Sequence, residues 1–169
     1  MQHTQVLVAG AGPVGAVVAY RLAQAGIDVV LVEQHGSCPE DMRAPTLHVP
    51  TLEMLAELGV LETLEAQGLR APVYQYRNRQ TGEVLSFDLS EISDITRFPY
   101  RLQCEQFKIT RLLTGLLAEH PHGTVRFAQR VIHYEQDDGG VTAHIETPTA
   151  IEAIRCQFLI GADGANSLV

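Results

Sequence analysis

Val6-Leu7-Val8-Ala9-Gly10-Ala11-Gly12-Pro13-Val14-Gly15 decides the fold, because an apolar run leads directly into glycines spaced G-x-G-x-x-G. The first glycine permits a tight strand-to-helix turn, the second lets the backbone approach a phosphate, and the third lets the helix lie close to the strand. An anion at this turn faces free N–H groups and the positive end of the helix dipole. The segment therefore predicts a nucleotide pyrophosphate site. The cofactor contacts predicted within it are Gly10, Gly12, Pro13, Val14 and Gly15.

The residues after the glycines complete a β-α-β unit. Apolar residues at helical spacing and small residues on inner positions predict a helix packed closely on a sheet. These residues are Val14, Val17, Val18 and Leu22, and Ala16, Ala19 and Ala23. Gly26 is expected to end the helix, and the apolar run over residues 29–32 predicts the next buried strand.

An acidic residue, Glu33, stands at the carboxyl end of that second strand. There a carboxylate accepts the two hydroxyls of an adenosine ribose and repels the 2′-phosphate of NADP. We therefore expect Glu33, with its neighbour Gln34, to contact the adenosine part of the cofactor. A simple NAD-dependent dehydrogenase would use such a glutamate equally well, so the type of dinucleotide is open at this point.

Composition restricts the function further. The 169 residues are 46% hydrophobic, enough for a globular core, and twelve basic against twenty acidic residues give a net charge of −8. This charge argues against a nucleic-acid partner or an anionic membrane surface. Cys38, Cys104 and Cys156 are an odd number at wide spacings, which favours reduced thiols and a cytoplasmic protein. No residue set has metal-ligand spacing, and residues 1–20 lack the basic region of a signal peptide.

The middle of the chain changes character. Residues 35–50 contain one glycine and three prolines and predict a loop without regular elements. Thr51 is expected to cap a short helix ending at Gly59, and residues 61–67 predict a second one. Residues 73–77 and 84–89 predict a half-exposed antiparallel ribbon around a Thr-Gly turn.

The last third returns to alternating helix and strand patterns. Residues 106–119 predict an amphipathic helix, and residues 124–127 a further parallel strand. Residues 129–135, 141–146 and 151–155 predict a three-stranded antiparallel meander. A separate buried strand over residues 158–160 then leads into Asp163-Gly164.

Four stretches of the chain together resemble the FAD-dependent monooxygenases of the aromatic-hydroxylase type, the class A enzymes similar to para-hydroxybenzoate hydroxylase. Their order and spacing match that family throughout the chain. The stretches are the glycine segment already quoted, Arg43-Ala44-Pro45-Thr46-Leu47-His48-Val49-Pro50-Thr51-Leu52-Glu53-Met54-Leu55, Arg101-Leu102-Gln103-Cys104-Glu105-Gln106, and Phe158-Leu159-Ile160-Gly161-Ala162-Asp163-Gly164-Ala165-Asn166-Ser167.

The resemblance implies FAD as cofactor, NAD(P)H as electron donor, and O2 with a small aromatic substrate as reactants. It implies that Arg43 reaches the flavin and its phosphates, that Gln103 hydrogen-bonds the cofactor, and that Asp163 and Gly164 contact FAD. It predicts no catalytic acid, base or nucleophile in the chain, because the cofactor supplies the chemistry. The family also allows a homo-oligomer.

The fold class predicted is α/β: a Rossmann-like FAD-binding fold with a parallel sheet, a three-stranded antiparallel meander and the start of a β-rich substrate domain. By resemblance, residues 1–72 begin the FAD-binding domain, residues 73–98 begin the substrate domain, and residues 99–169 return to the first. Members of this family continue well beyond the Asp-Gly motif. The chain is therefore expected to be an incomplete, N-terminal portion of its parent and to lack monooxygenase activity alone.

Three other functions remain open from the residues. A flavin-dependent reductase or halogenase can share this scaffold. An NAD-dependent dehydrogenase fits Glu33 but not the context of Gln103 and Asp163 or the inserted antiparallel strands. A non-catalytic nucleotide-binding module would keep the glycine segment without turnover.

Overall fold

A computed structural model describes residues 1–40, 42 and 45–169 of the chain. The strands are β1 (Gln2–Ala9), β2 (Val29–Glu33), β3 (Thr46–Leu47), β4 (Leu69–Ala71), β5 (Val73–Arg77), β6 (Val84–Asp88), β7 (Arg101–Gln103), β8 (Gly123–Phe127), β9 (Arg130–Asp137), β10 (Gly140–Glu146) and β11 (Ile151–Gly161). The α-helices are α1 (Pro13–Gln24), α2 (Val49–Glu57), α3 (Leu61–Glu65) and α4 (Gln106–Glu119). The backbone divides into one unit of residues 1–41 and 109–169 and a second unit of residues 42–108.

The first unit is built on a six-stranded sheet in the order β8-β2-β1-β11-β10-β9. β8, β2, β1 and β11 run parallel, whereas β9, β10 and β11 form an antiparallel meander. The strands alternate their side chains between two apolar layers, as the two-residue period of a strand requires. This arrangement confirms the predicted α/β class, the parallel sheet and the meander.

Helix α1 covers one face of the parallel strands. Ala19 and Ala23 are completely buried against Val8 and Leu31, so small side chains allow the close approach that the sequence predicts. The helix ends at Gln24, and Gly26 terminates it as expected: its φ of +77° lets the N–H groups of residues 26 and 27 bond back to the last turn. The expectation that Val14 packs against the sheet is wrong, because this residue of the first turn is 67% exposed.

The opposite layer joins the parallel strands to the meander. Leu7 and Val30 pack with Ile145 and Ile154, all nearly or fully buried. The predicted separation of residues 151–155 from residues 158–160 is wrong, since both belong to the single eleven-residue strand β11. Its first part pairs antiparallel with β10 and its later part pairs parallel with β1, so one strand serves two ladders with different patterns.

The second unit contains the three-stranded sheet β3-β7-β4, the ribbon β5-β6 and helices α2 and α3. The predicted loop over residues 35–50 is partly wrong, because β3 and the start of α2 lie within it. Helix α2 begins after His48, and Pro50 lies in its first turn, where a missing N–H costs nothing; Thr51 is inside the helix and not its cap. The ribbon forms as predicted, but every residue of β6 is exposed.

Candidate functional site

The carboxyl ends of four parallel strands meet at one edge of the sheet in the first unit. The register places Ala9 beside Gly161 and Val32 beside Ala9, and Phe127 lies beside Glu33. Strand β1 lies between β2 on one side and β11 on the other, so the strand order reverses at β1. In open parallel sheets this switch point is where ligands bind, so this edge is the candidate site.

Gly10 makes the turn out of β1 and can be replaced by no larger residue without distortion. Its φ is +96°, and its N–H donates to the Val32 carbonyl over 2.8 Å. A Cβ built on Gly10 would lie 2.4 Å from the Ala162 carbonyl oxygen and 2.8 Å from Asp163 Cα. The glycine turn and the Asp-Gly turn are therefore packed backbone against backbone.

Gly15 serves the close approach of α1 to that turn. A Cβ on Gly15 would lie 1.9 Å from the Gly10 carbonyl oxygen and 3.2 Å from Ala162 Cβ. The third glycine of the motif thus has the packing role that the sequence predicts.

Gly12 differs from both, because a Cβ on it would meet no described heavy atom within 4 Å. It is the N-cap of α1, with extended backbone (φ −64°, ψ 177°), and no described side chain caps the helix. Pro13 follows at the start of the helix, and helix geometry leaves the N–H groups of Val14 and Gly15 without intrahelical acceptors. An open backbone face beside free donors fits a pyrophosphate.

Glu33 is buried, with 7% of the residue exposed, and its carboxylate is held by three donors. Its Oε2 accepts the Ala11 N–H at 2.8 Å. Its Oε1 accepts the His35 N–H at 3.0 Å and lies 2.6 Å from His35 Nδ1. The carboxylate therefore ties the glycine turn to the end of β2. Gln34, which the sequence predicts to contact the adenosine together with Glu33, is exposed.

The segment after Glu33 is fixed from the end of β8. Ala128 adopts φ +55°, and its N–H donates to the His35 carbonyl at 2.8 Å. The Gln129 N–H donates to the Glu33 carbonyl at 2.9 Å. A cavity of about 540 Å³ opens beside these residues. It is lined by Gln34, His35, Ala128, Gln129, Arg130, Glu146, Thr147 and Pro148.

Asp163 turns its carboxylate into its own loop. Its oxygens accept the Ser167 hydroxyl and, at 2.9 Å, the Leu168 N–H. Burial opposes ionisation, but these hydrogen bonds outweigh it and hold the pKa of Asp163 below its usual value. Gly164 follows with φ +85°, as a tight turn requires.

Gln103 lies in the second unit, at the end of β7 and opposite Thr46 of β3. The Thr46 hydroxyl donates to Gln103 Oε1 at 2.9 Å, which leaves the amide nitrogen to act as a donor elsewhere. The predicted site residue Arg43 lies outside the described residues.

Tyr100 anchors the start of β7 through a carboxylate. Its hydroxyl donates to Glu65, which also accepts Arg70 Nη2 at 2.7 Å, and the Arg70 guanidinium lies 4.8 Å from the Tyr100 ring centroid. Burial, together with the bond to Glu65, raises the pKa of Tyr100 to about 12. This network fixes the strand that carries Gln103.

The structure thus brings the predicted residues Gly10, Gly12, Gly15, Glu33 and Asp163 to one sheet edge. Sequence reasoning missed His35, for which the only available signal was its position two residues after Glu33. Within the described part of the chain, no three His, Cys, Asp or Glu side chains cluster to hold a metal. No described helix is long and apolar enough to cross a membrane.

Comparison with known proteins agrees with this geometry. Residues 3–169 match the family described as the FAD binding domain. The chain is 36% identical over 167 residues to the 6-hydroxy-3-succinoylpyridine 3-monooxygenase HspB of Pseudomonas putida, covering 98% of this chain and 42% of that protein. It is 32% identical over 164 residues to the para-nitrophenol 4-monooxygenase of a Pseudomonas species, covering 97% and 41% respectively. The chain therefore spans about two fifths of the length of these curated relatives.

Solved structures give the same result. The p-nitrophenol 4-monooxygenase PnpA from Pseudomonas putida superposes with a TM-score of 0.93 at 28% identity, over 99% of this chain and 43% of that one. The flavin-dependent monooxygenase PieE, solved with FAD and substrate, superposes with a TM-score of 0.86 at 26% identity, over 98% and 31%.

Proposed function

The chain belongs to the FAD binding domain family, and from this premise we propose that its parent protein is a flavin-dependent monooxygenase that hydroxylates a small aromatic substrate. The observation that carries the proposal is the agreement along nearly the whole chain with proteins named as aromatic monooxygenases. NAD(P)H and O2 are the co-reactants we propose, and FAD is the cofactor of the domain.

We propose the following roles at the sheet edge. The pyrophosphate lies over the open backbone of Gly12 and the N-terminus of α1, where the donors described above favour an anion. Glu33 accepts hydroxyls of the adenosine ribose. Asp163 contributes an ionised carboxylate, supported by its lowered pKa, and Gly164 gives it a tight turn.

Arg43 and Gln103 are two further residues that we propose contact the cofactor. An arginine is a fixed bidentate donor suited to a phosphate in a chain whose net charge is −8. The proposed role of Gln103 is supported by its bond from Thr46, which occupies the amide oxygen and leaves the amide nitrogen to donate to the cofactor. Bound FAD supplies the redox chemistry, accepting electrons from NAD(P)H and transferring oxygen to substrate, while the chain binds and orients it.

We also propose that residues 1–72 and 99–169 belong to the FAD-binding domain and that residues 73–98 begin a substrate domain. The exposed apolar side chains of the β5-β6 ribbon, such as Leu85 and Phe87, support this division, because such surface is normally covered. Three buried free thiols, Cys38, Cys104 and Cys156, support a cytoplasmic protein. A homo-oligomer stays a prediction.

The parent protein tests the proposal. Purified with FAD, it should oxidise NAD(P)H faster when a phenolic substrate is added, and 18O from O2 should appear in a hydroxylated product. Product formation that requires halide would indicate a halogenase. NAD(P)H oxidation that never incorporates oxygen would indicate a reductase, and either result would overturn the proposed reaction.

A further inference from the structure

The carboxylate of Glu33 has fewer free acceptor positions than an adenosine ribose needs. An ionised carboxylate offers about four acceptor positions on its two oxygens. Three are filled: the Ala11 N–H takes one on Oε2, and the backbone N–H and the Nδ1 of His35 take two on Oε1. One position remains, whereas the two ribose hydroxyls donate two hydrogen bonds.

The three donors differ in their freedom to leave. The Ala11 N–H belongs to the glycine turn, which is packed against Ala162 through Gly10. The His35 N–H is held in place because the His35 carbonyl accepts the Ala128 N–H. The His35 ring, by contrast, is on a side chain that is 58% exposed and borders the adjacent cavity of about 540 Å³.

We propose that the His35 imidazole occupies an acceptor position of Glu33 in the free protein and leaves it when the ribose diol of the adenosine binds. This inference rests on the proposed role of Glu33 in FAD binding. Facing an acceptor-only carboxylate, Nδ1 carries the hydrogen of the 2.6 Å bond. Binding of both hydroxyls breaks this bond and turns the ring toward the cavity. A single hydroxyl can use the acceptor position that is already free, so His35 weakens the binding only of a ribose that carries both hydroxyls.

ADP and 2′-deoxy-ADP test this count of acceptors. Both carry the adenosine pyrophosphate, but 2′-deoxy-ADP donates through one ribose hydroxyl and can use the position that is already free. His35→Ala should therefore tighten ADP binding about three- to tenfold, the effect of one hydrogen bond, and leave 2′-deoxy-ADP binding unchanged. His35→Asn should behave like the wild type, because the asparagine Nδ2 can donate from the position of the imidazole Nδ1.

His122→Ala is the matched control. Its ring nitrogen Nδ1 lies 2.7 Å from Asp28 Oδ1, and Asp28 precedes β2, at the edge of the sheet opposite the site. This variant removes another contact between an exposed histidine ring and a carboxylate, away from the site, and should change neither affinity. Calorimetric titration of the wild type and the three variants gives all eight dissociation constants.

Nuclear magnetic resonance of the wild type follows the ring directly and needs no variant. FAD should shift the ring nitrogen signals of His35, whereas FMN, which lacks the adenosine, should not. The inference is overturned if His35→Ala weakens ADP binding, if it changes ADP and 2′-deoxy-ADP equally, or if FAD leaves the His35 signals in place. A wild-type protein that binds neither FAD nor ADP would instead overturn the proposed function.

Discussion

The same small change, replacement by alanine, should lower mainly the stability at Gly10 and mainly the affinity for FAD at Gly12. At Gly10 the added Cβ would meet three backbone atoms, the carbonyl oxygen and carbon of Ala162 at 2.4 and 2.7 Å and Asp163 Cα at 2.8 Å, and none of them can rotate away. The φ of +96° costs a residue with a side chain about 1–2 kcal/mol of folding free energy. Overpacking adds about 1–3 kcal/mol. Gly10→Ala should therefore lower the free energy of unfolding by about 2–5 kcal/mol.

At Gly12 the added Cβ would enter open space from a backbone conformation that alanine adopts freely. The loss of a good N-cap residue should cost below about 1 kcal/mol of stability. The methyl group would stand where we expect the pyrophosphate to approach the backbone. Losing one hydrogen bond to a charged group costs about 1.5–3 kcal/mol, so FAD should bind about 10- to 150-fold more weakly.

Thermal unfolding and FAD titration separate the two effects. For a chain of this length we expect Gly10→Ala to lower Tm by about 4–20 °C, and Gly12→Ala by less than about 4 °C. Gly115→Ala is the control: its Cβ would also meet open space, and alanine inside α4 should raise stability by about 0.5–1 kcal/mol without affecting FAD. Binding of FAD by Gly12→Ala with the wild-type affinity, or melting of Gly10→Ala at the wild-type temperature, would contradict these predictions.

Three further predictions concern single side chains. Because the folded-state pKa of Asp163 is lowered, its contribution to stability is present above the unfolded pKa and is lost as pH falls through the folded value; Asp163→Asn should flatten this part of the acid melting curve, and an unchanged pH profile would contradict it. Because the pKa of Tyr100 is raised to about 12, an ultraviolet titration should show tyrosine ionisation near pH 12, and stability should fall as pH rises from 10 to 12. Tyr100→Phe should remove both features, and ionisation near pH 12 that persists in this variant would refute the assignment. Thr46→Val should weaken FAD binding about three- to tenfold by freeing the Gln103 amide to turn, whereas Thr46→Ser should retain the wild-type affinity; equal affinities for all three proteins would count against a role for Gln103.

The sequence predicted those helices and strands in which the apolar residues keep a single spacing and which have one kind of packing or pairing partner. The glycine turn with its flanking strands follows from apolar runs and glycine spacing, and α4 has the bounds that its apolar stripe predicts. The prediction divided β11 into two strands because apolar and polar residues alternate in its first part, as in an antiparallel strand, whereas its end is a continuous apolar run. The two periods reflect two partners, β10 and β1, and the partners of a strand are a property of the tertiary fold.

The site was predictable to a similar depth. Glycine spacing predicted the turn at Gly10, and Glu33 was predicted at the end of β2, where the structure has it; their contacts with the cofactor stay predictions. The donors that already occupy that carboxylate were not predictable, because the Ala11 N–H reaches it from the glycine turn, and the N–H and Nδ1 of His35 reach it from a segment whose backbone is held by the Ala128 N–H. The open face at Gly12 and the closed face at Gly10 likewise depend on where the Ala162 backbone passes.

We propose that this sheet edge holds FAD by its adenosine and pyrophosphate. Titration of the purified protein with FAD and, separately, with FMN, followed by flavin fluorescence and visible absorbance, tests it most directly. We expect saturation by FAD at one equivalent, competition by ADP, and far weaker binding of FMN. FMN binding as tight as that of FAD, or FAD binding that ADP does not compete with, would contradict it.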